Sequence, residues 1–153
     1  MNKLNIVLLT PEIPYNTGNI GRTAVLTHST LHLIKPLGFS LDVKEIKRAG
    51  LDYWHLVDLK IWDSYEEFIR SNPGITIYYA TTKTKNKYCD VKFAKDDYIM
   101  FGPESRGIPE DILRANSKNC ITIPMIDMGR SLNLSNSAAI ILYEALRQLN
   151  FPY

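Results

Sequence analysis

"LNIVLLTPEIPYNTGNIGRT", residues 4–23, sets an unbroken apolar run against a stretch of prolines, asparagines and glycines. The run "LNIVLL" (4–9) has the length and β-rich content of a strand. A strand with no polar alternation is buried on both faces, as in a parallel sheet. Pro11 and Pro14 end it, and from Thr17 to His28 the pattern turns helical. A strand, a glycine-bearing connection and a helix form the first half of a βαβ unit.

The alternation continues along the chain. "LHLIK" (31–35) is a second strand, closed by Pro36-Leu37-Gly38, and "DVKEIKRAG" (42–50) is a short helix with a glycine stop. "LKIW" (59–62) is a weak strand. Ser64 caps "SYEEFIRS", with Glu67 three residues on as a capping box requires. "ITIYYATT" (75–82) and "DYIMFG" (97–102) are strands, "PEDILRAN" (109–116) is a helix opened by proline, and "CITIP" (120–124) is the last strand. "LSNSAAIILYEALRQL" (134–149) is the longest helix; Leu134, Ala138, Ile141, Leu142, Ala145 and Leu149 recur at helical spacing, and Ile140 and Tyr143 widen that face. The expected fold is α/β, a mostly parallel sheet with helices on both faces. With 153 residues and no linker rich in Pro, Gly or Ser, a single domain over 1–153 is expected.

Composition narrows the function only slightly. At 45% apolar, 22% charged and net +2, the chain is an ordinary soluble protein, basic enough to admit an RNA partner but not to argue for one. Cys89 and Cys120 fit no metal spacing, and no disulfide framework or secretory signal is present, so a reducing cytoplasm is expected. No stretch reaches the roughly 20 apolar residues of a membrane span.

Three segments just after predicted strands carry the chemistry, where ligands of open α/β sheets bind. In "PEIPYNTGNIGRT" (11–23), Gly18 and Gly21 stand two residues apart and Arg22-Thr23 follows. This is neither a P-loop nor a dinucleotide fingerprint. It leaves a helix N-terminus with Asn16 or Thr17 as cap and Arg22 nearby. A glycine turn with a surface arginine satisfies the same spacing. In "FGPESRGIP" (101–109), Gly102, Pro103 and Gly107 force an irregular loop containing Glu104 and Arg106, the mark of a ligand loop or of a plain connector. In "IPMIDMGRSLNLSN" (123–136), Ser131, Asn133, Ser135 and Asn136 crowd one helix start. One cap would satisfy it, so the surplus reads as ligand contacts or as multiple capping.

Together with "RAGLDYW" (48–54), these segments resemble, in order and over nearly the whole chain, the motifs of the small tRNA (cytidine(34)-2′-O)-methyltransferases of the SPOUT class. The resemblance implies a C-terminal deep trefoil knot, no separate RNA-binding domain, a homodimer with the RNA site shared between chains, and S-adenosylmethionine held in the knot without metal. By position the cofactor contacts fall at Ala80, Gly102, Ile123 and Ser131, with Thr81, Glu104, Met125, Leu132 and Asn136 completing the pocket. Arg22 matches the family's catalytic arginine, Asn16 and Asn19 its asparagines, and Tyr143 a tyrosine near the site that on this helix also suits packing. Leu132 stands where methionine is common, a volume-conserving difference.

The implied reaction moves a methyl group from a sulfonium to a ribose 2′-oxygen. His28, His32 and His55 are not placed to act as base. An arginine is almost always protonated, so Arg22 is read as holding phosphate and stabilising charge on oxygen, and the base stays unassigned. The implied substrate is the anticodon stem-loop of tRNA, at a wobble cytidine or modified uridine of leucine acceptors. An inactive RNA-binding protein of the same fold, a nucleotide-binding regulatory domain, and a 2′-O-methyltransferase for another tRNA or rRNA position are the alternatives. "TTKTKNKYCDVKFAK" (81–95), with Lys83, Lys85, Lys87, Lys92 and Lys95, reads equally as a phosphate patch or a solvated basic loop, and Lys44, Lys47 and Arg48 offer a second patch.

Overall fold

The computed structural model describes residues 3–42, 44, 46 and 51–153. Six strands form one sheet in the order β3-β2-β1-β5-β4-β6: β1 Asn5–Leu9, β2 Thr30–Ile34, β3 Asp58–Trp62, β4 Ile77–Ala80, β5 Tyr98–Phe101 and β6 Cys120–Ile121. Every pairing is parallel. The helices are α1 Pro14–Leu26, α2 Tyr65–Ser71, α3 Glu110–Ala115 and α4 Leu134–Gln148, with a 3-10 turn at Leu51–Leu56.

The unbroken apolar strands do what their sequence predicts. β1 and β2 are buried along their whole length. Their side chains alternate between faces, so Ile6 and Leu8 join one core while Val7 and Leu9 join the other. Ala138, Ile141, Leu142, Ala145 and Leu146 of α4, with Ile20 and Ala24 of α1, cover the first face; Phe68 of α2 and Leu113 of α3 cover the second. Ile141 and Leu142 of the periodic α4 set are buried, whereas Ile140 and Tyr143, expected to widen that face, are exposed. The strand order reverses between β1 and β5, so the loops after them diverge and open a crevice at the carboxyl ends.

The weak strand 59–62 is an edge strand, β3, with partial exposure along its length. Ser64 caps α2 as predicted, accepting from Glu67 N at 3.0 Å, but the Glu67 carboxylate reaches Asp63 N at 2.6 Å and not the cap's own N–H. Pro109 precedes α3 as its cap and does not open its first turn. The predicted helix at 42–50 lies largely outside the described residues.

The larger difference concerns α1. It begins at Pro14, with Ile13 as a cap that makes no side-chain bond, so Asn16 and Thr17 sit inside the first turn and cap nothing. A proline at the first helical position loses no hydrogen bond and presets φ. Pro14 therefore starts the helix where its presence read as a break. The helix expected from Thr17 thus starts three residues earlier, and all of "NTGNIGRT" is helical. Gly21 is there for packing: a Cβ would meet the Trp54 ring at 2.7 Å. The helix ends where His28 adopts φ 53 and Thr27 Oγ1 donates to Thr23 O at 2.8 Å.

His32 lies mid-strand in β2 and is buried. Trp62 Nε1 donates to its Nδ1 at 3.1 Å, and an indole N–H is donor only. The ring proton therefore sits on Nε2, which donates to Asn5 Oδ1 at 2.9 Å. Burial drives the His32 pKa down to about 4.

Candidate active site

A cleft of about 630 Å³ opens beyond the carboxyl ends of β4, β5 and β6. After β4 it is lined by Ala80 at the strand end and Thr81 beyond it. After β5 come Gly102 and Glu104, and after β6 come Ile123, Met125, Ser131 and Leu132. All of these were expected on the cofactor side. Asn136, the remaining one, is exposed and outside the lining; its backbone N–H donates to Asn133 Oδ1 at 3.4 Å. Asn133 is the cap of α4, also accepting from Ser135 N at 2.8 Å and Ser135 Oγ at 2.6 Å. Much of the polar surplus at that helix start is thus capping.

The loop after β5 owes its shape to Gly102. A Cβ there would lie 2.2 Å from Ile108 N and 2.3 Å from Gly107 C, backbone atoms that have nowhere to go. Gly107 itself takes φ +74, open to glycine at no cost.

Glu104 lines the cleft, yet its carboxylate is engaged by the start of α1. It accepts from Glu12 N at 2.8 Å, Ile13 N at 3.0 Å and Asn16 Nδ2 at 3.1 Å. Glu12 reciprocates, accepting from Ser105 N at 2.8 Å and Ser105 Oγ at 2.9 Å. Those two donors hold the Glu12 carboxyl below its usual range. The two loops are thus clasped by crossed carboxylates, and the clasp brings buried Asn16 to the cleft wall. Nothing in the linear sequence pairs Glu12 with Ser105.

Arg22, Asn19 and Tyr143 do not line the cleft. Arg22 is six residues, about 9 Å, along α1 from Asn16. It is exposed, with its guanidinium 5.2 Å from the centroid of the Tyr53 ring, a cation–π contact. Tyr53 belongs to the "RAGLDYW" motif and received no role from sequence. On α1 the exposed residues are Tyr15, Asn19, Arg22 and Leu26; on α4 they are Asn136, Ile140, Tyr143 and Arg147. Both sets repeat at helical spacing, and α1 packs against α4. The expected site residues outside the cleft therefore share one exposed two-helix face.

Arg106 and Arg130 also line the cleft, and neither is ion-paired among the described residues. Among the described residues no three His, Cys, Asp or Glu side chains are grouped as metal ligands, and no helix is long and apolar enough to cross a membrane.

Residues 3–143 match the SpoU rRNA methylase family. The chain is 44% identical over 150 residues to the tRNA (cytidine(34)-2′-O)-methyltransferase of Escherichia coli, covering 97% of this chain and 96% of that one. A Listeria monocytogenes protein provisionally assigned the same activity is 53% identical over 150 residues, 96% of this chain and 89% of its own. A solved structure concerned with 2-OH methylation of C/U34 on tRNA superposes with a TM-score of 0.92 at 43% identity, over 97% of each chain. The chain belongs to the SpoU methylase family, in the group of small members related to the tRNA (cytidine(34)-2′-O)-methyltransferases.

Proposed function

We propose that this protein moves a methyl group from S-adenosylmethionine to the ribose 2′-oxygen of nucleotide 34 of tRNA, a cytidine or modified uridine, with leucine tRNAs as substrates in the cytoplasm. One observation carries the reading: three strand-end loops meet in one cleft, and the clasp at Glu104 fixes the start of α1 to its wall. In this reading residues 1–153 form a single domain. The knot implied by the resemblance belongs to this reading. The segment after β6 runs against the 81–97 loop, where Thr122 N donates to Asn86 O at 2.8 Å, and α4 ends against the same loop at Gln148.

The cleft suits the cofactor. Its volume is in the range of small-molecule sites. Ile123, Leu132 and Phe101 offer an apolar wall for a purine, and the hydroxyls of Thr81 and Ser131 with loop backbone groups suit a ribose. When bound, the cofactor supplies a methyl group on a cationic sulfur, and its product is the thioether S-adenosylhomocysteine. The protein's part is alignment and charge. A ribose hydroxyl is a weak nucleophile, so in-line positioning carries much of the acceleration. Asn16, with Nδ2 held by Glu104, keeps Oδ1 as an acceptor at the cleft wall. Arg22 grips the phosphate flanking the target and offsets charge growing on the 2′-oxygen. The 2′-proton leaves to a phosphate oxygen or water. No metal enters this scheme.

Arg22 lies outside the cleft, on a face that also exposes Tyr15, Leu26, Ile140 and Tyr143. We propose that this α1–α4 face is the homodimer interface and that pairing brings Arg22 and Asn19 to a shared RNA site. Calorimetry with S-adenosylhomocysteine, paired with labelled methyl transfer to bulk tRNA, tests the function. One equivalent bound per chain and label in tRNA are expected. Binding without transfer would restore the inactive RNA-binding reading, and failure to bind at millimolar cofactor would refute the proposal.

A further inference from the structure

We infer that Lys85, Lys87, Lys92 and Lys95 form a track for the phosphate backbone of the RNA substrate, running from the mouth of the cleft to the far end of α4. The inference rests on the tRNA-modifying reading above. Between β4 and β5, residues 81–95 carry five lysines against Asp90, and Asp96 and Asp97 close the loop. The whole chain has a net charge of only +2, whereas the five lysines less Asp90 of residues 81–95 sum to +4, so the rest of the chain is net acidic. Its basicity is therefore local. Lys83 is neutralised by an ion pair with Glu110. The other four lysines are exposed, and none has a carboxylate partner among the described residues.

The loop has no helix or long strand, yet it is pinned at both ends. Beside the cleft, Tyr88 N donates to Thr122 O at 2.9 Å, and Thr122 lines the cleft. At the other end, Gln148 in the last turn of α4 accepts from Phe93 N at 2.8 Å and donates to Val91 O at 3.0 Å, and Phe93 is buried. The first turn of α4 is at the cleft, because Leu134 and Ser137 line it. Tyr88 and Phe93, the two pinned residues, are five residues apart in the chain, so the stretch between the pins reaches at most about 17 Å. With Lys85 and Lys87 before the first pin and Lys95 after the second, the lysines can meet successive phosphates of one strand. A fixed backbone presenting lysine heads pays little ordering entropy on binding. Lysines act as point charges that position a nucleic acid without reading its bases.

The test is K85Q/K87Q/K92Q/K95Q in the full chain, with K60Q/K118Q as control, measured by binding of bulk tRNA between 50 and 200 mM salt. The plot of log affinity against log salt should flatten by about 3, and binding at 50 mM should weaken by about 10²-fold or more. KM for tRNA should rise while kcat at saturating tRNA and S-adenosylhomocysteine affinity stay at wild-type values. The pairs K85Q/K87Q and K92Q/K95Q should each give about half the change in slope, which reads the track even if the quadruple variant folds poorly. Wild-type slope and affinity in the pairs, or an equal loss in K60Q/K118Q, would overturn the inference. If wild-type protein methylates no tRNA, the proposed function fails, and the lysine dependence of the slope still decides this point.

Discussion

Glu104→Ala separates two roles for a carboxylate on the cleft wall: holding α1, or holding a ligand. Its oxygens accept from Glu12 N at 2.8 Å, Ile13 N at 3.0 Å and Asn16 Nδ2 at 3.1 Å. A hydrogen bond to a charged group contributes about 1.5–3 kcal/mol where water is excluded. Glu104 is only half-buried. Discounting each bond to about 1 kcal/mol for solvent screening gives a loss of about 3 kcal/mol. At about 2–4 °C per kcal/mol for a domain of this size, Tm should fall by about 6–12 °C. Affinity for S-adenosylhomocysteine should fall less than about tenfold, because the carboxylate acts through α1. Glu12→Ala loosens the same joint, so the double variant should lose less than the sum of the singles. Thermal melting and calorimetry on the four proteins make the cycle. Wild-type melting of Glu104→Ala with cofactor affinity down by 10²-fold or more would refute the clasp and return Glu104 to the ligand.

Arg22→Ala should cut single-turnover methylation at saturating tRNA by about 10²-fold or more with cofactor affinity intact, and Arg22→Lys should recover little, because an ammonium lacks the planar fork; near-normal turnover would make Arg22 a surface residue. Ile140→Glu should give monomers by light scattering without loss of fold; unchanged dimers, or monomeric wild-type protein at micromolar concentration, would count against the α1–α4 interface. His32, held at about 4 in the fold against 6.5 when free, leaves the unfolded chain binding more protons between those values. Stability should therefore be full above pH 6.5 and decline by about 3 kcal/mol as pH falls to 4. His32→Gln, followed by urea denaturation, should remove that slope, and an unaltered slope would assign it elsewhere. Gly102→Ala should destabilise by more than about 3 kcal/mol or abolish cofactor binding, and wild-type melting together with wild-type binding would show that the loop can yield.

The strands were legible because an unbroken apolar run such as "NIVLL" has one solution in an α/β chain, burial on both faces. α4 was legible by its period and by Asn133 at its start. Loop membership of the cleft was legible too, because glycine suits the close backbone approach at position 102 and the positive φ at position 107. What escaped depends on partners distant in sequence. The position of β5 between β1 and β4 leaves no mark on any one strand. The two glycines of "NTGNIGRT" fitted a helix start or a glycine turn equally, and neither reading shows that Gly21 admits Trp54 from the 3-10 turn. Glu104 reads as a ligand contact from its loop alone, and only the arrival of Glu12 and Asn16, about 90 residues earlier, shows where its carboxylate goes. The charge of Lys83 likewise counts toward a patch until Glu110 is seen beside it.

The central claim is tested most directly by incubating the protein with S-adenosylmethionine and unmodified tRNA, digesting the product, and mapping the methyl group by mass spectrometry. The account predicts one added methyl on the 2′-oxygen of nucleotide 34, in leucine tRNAs, absent from the Arg22→Ala reaction. A methyl group on a base, on another nucleotide, or on no tRNA at all would contradict it.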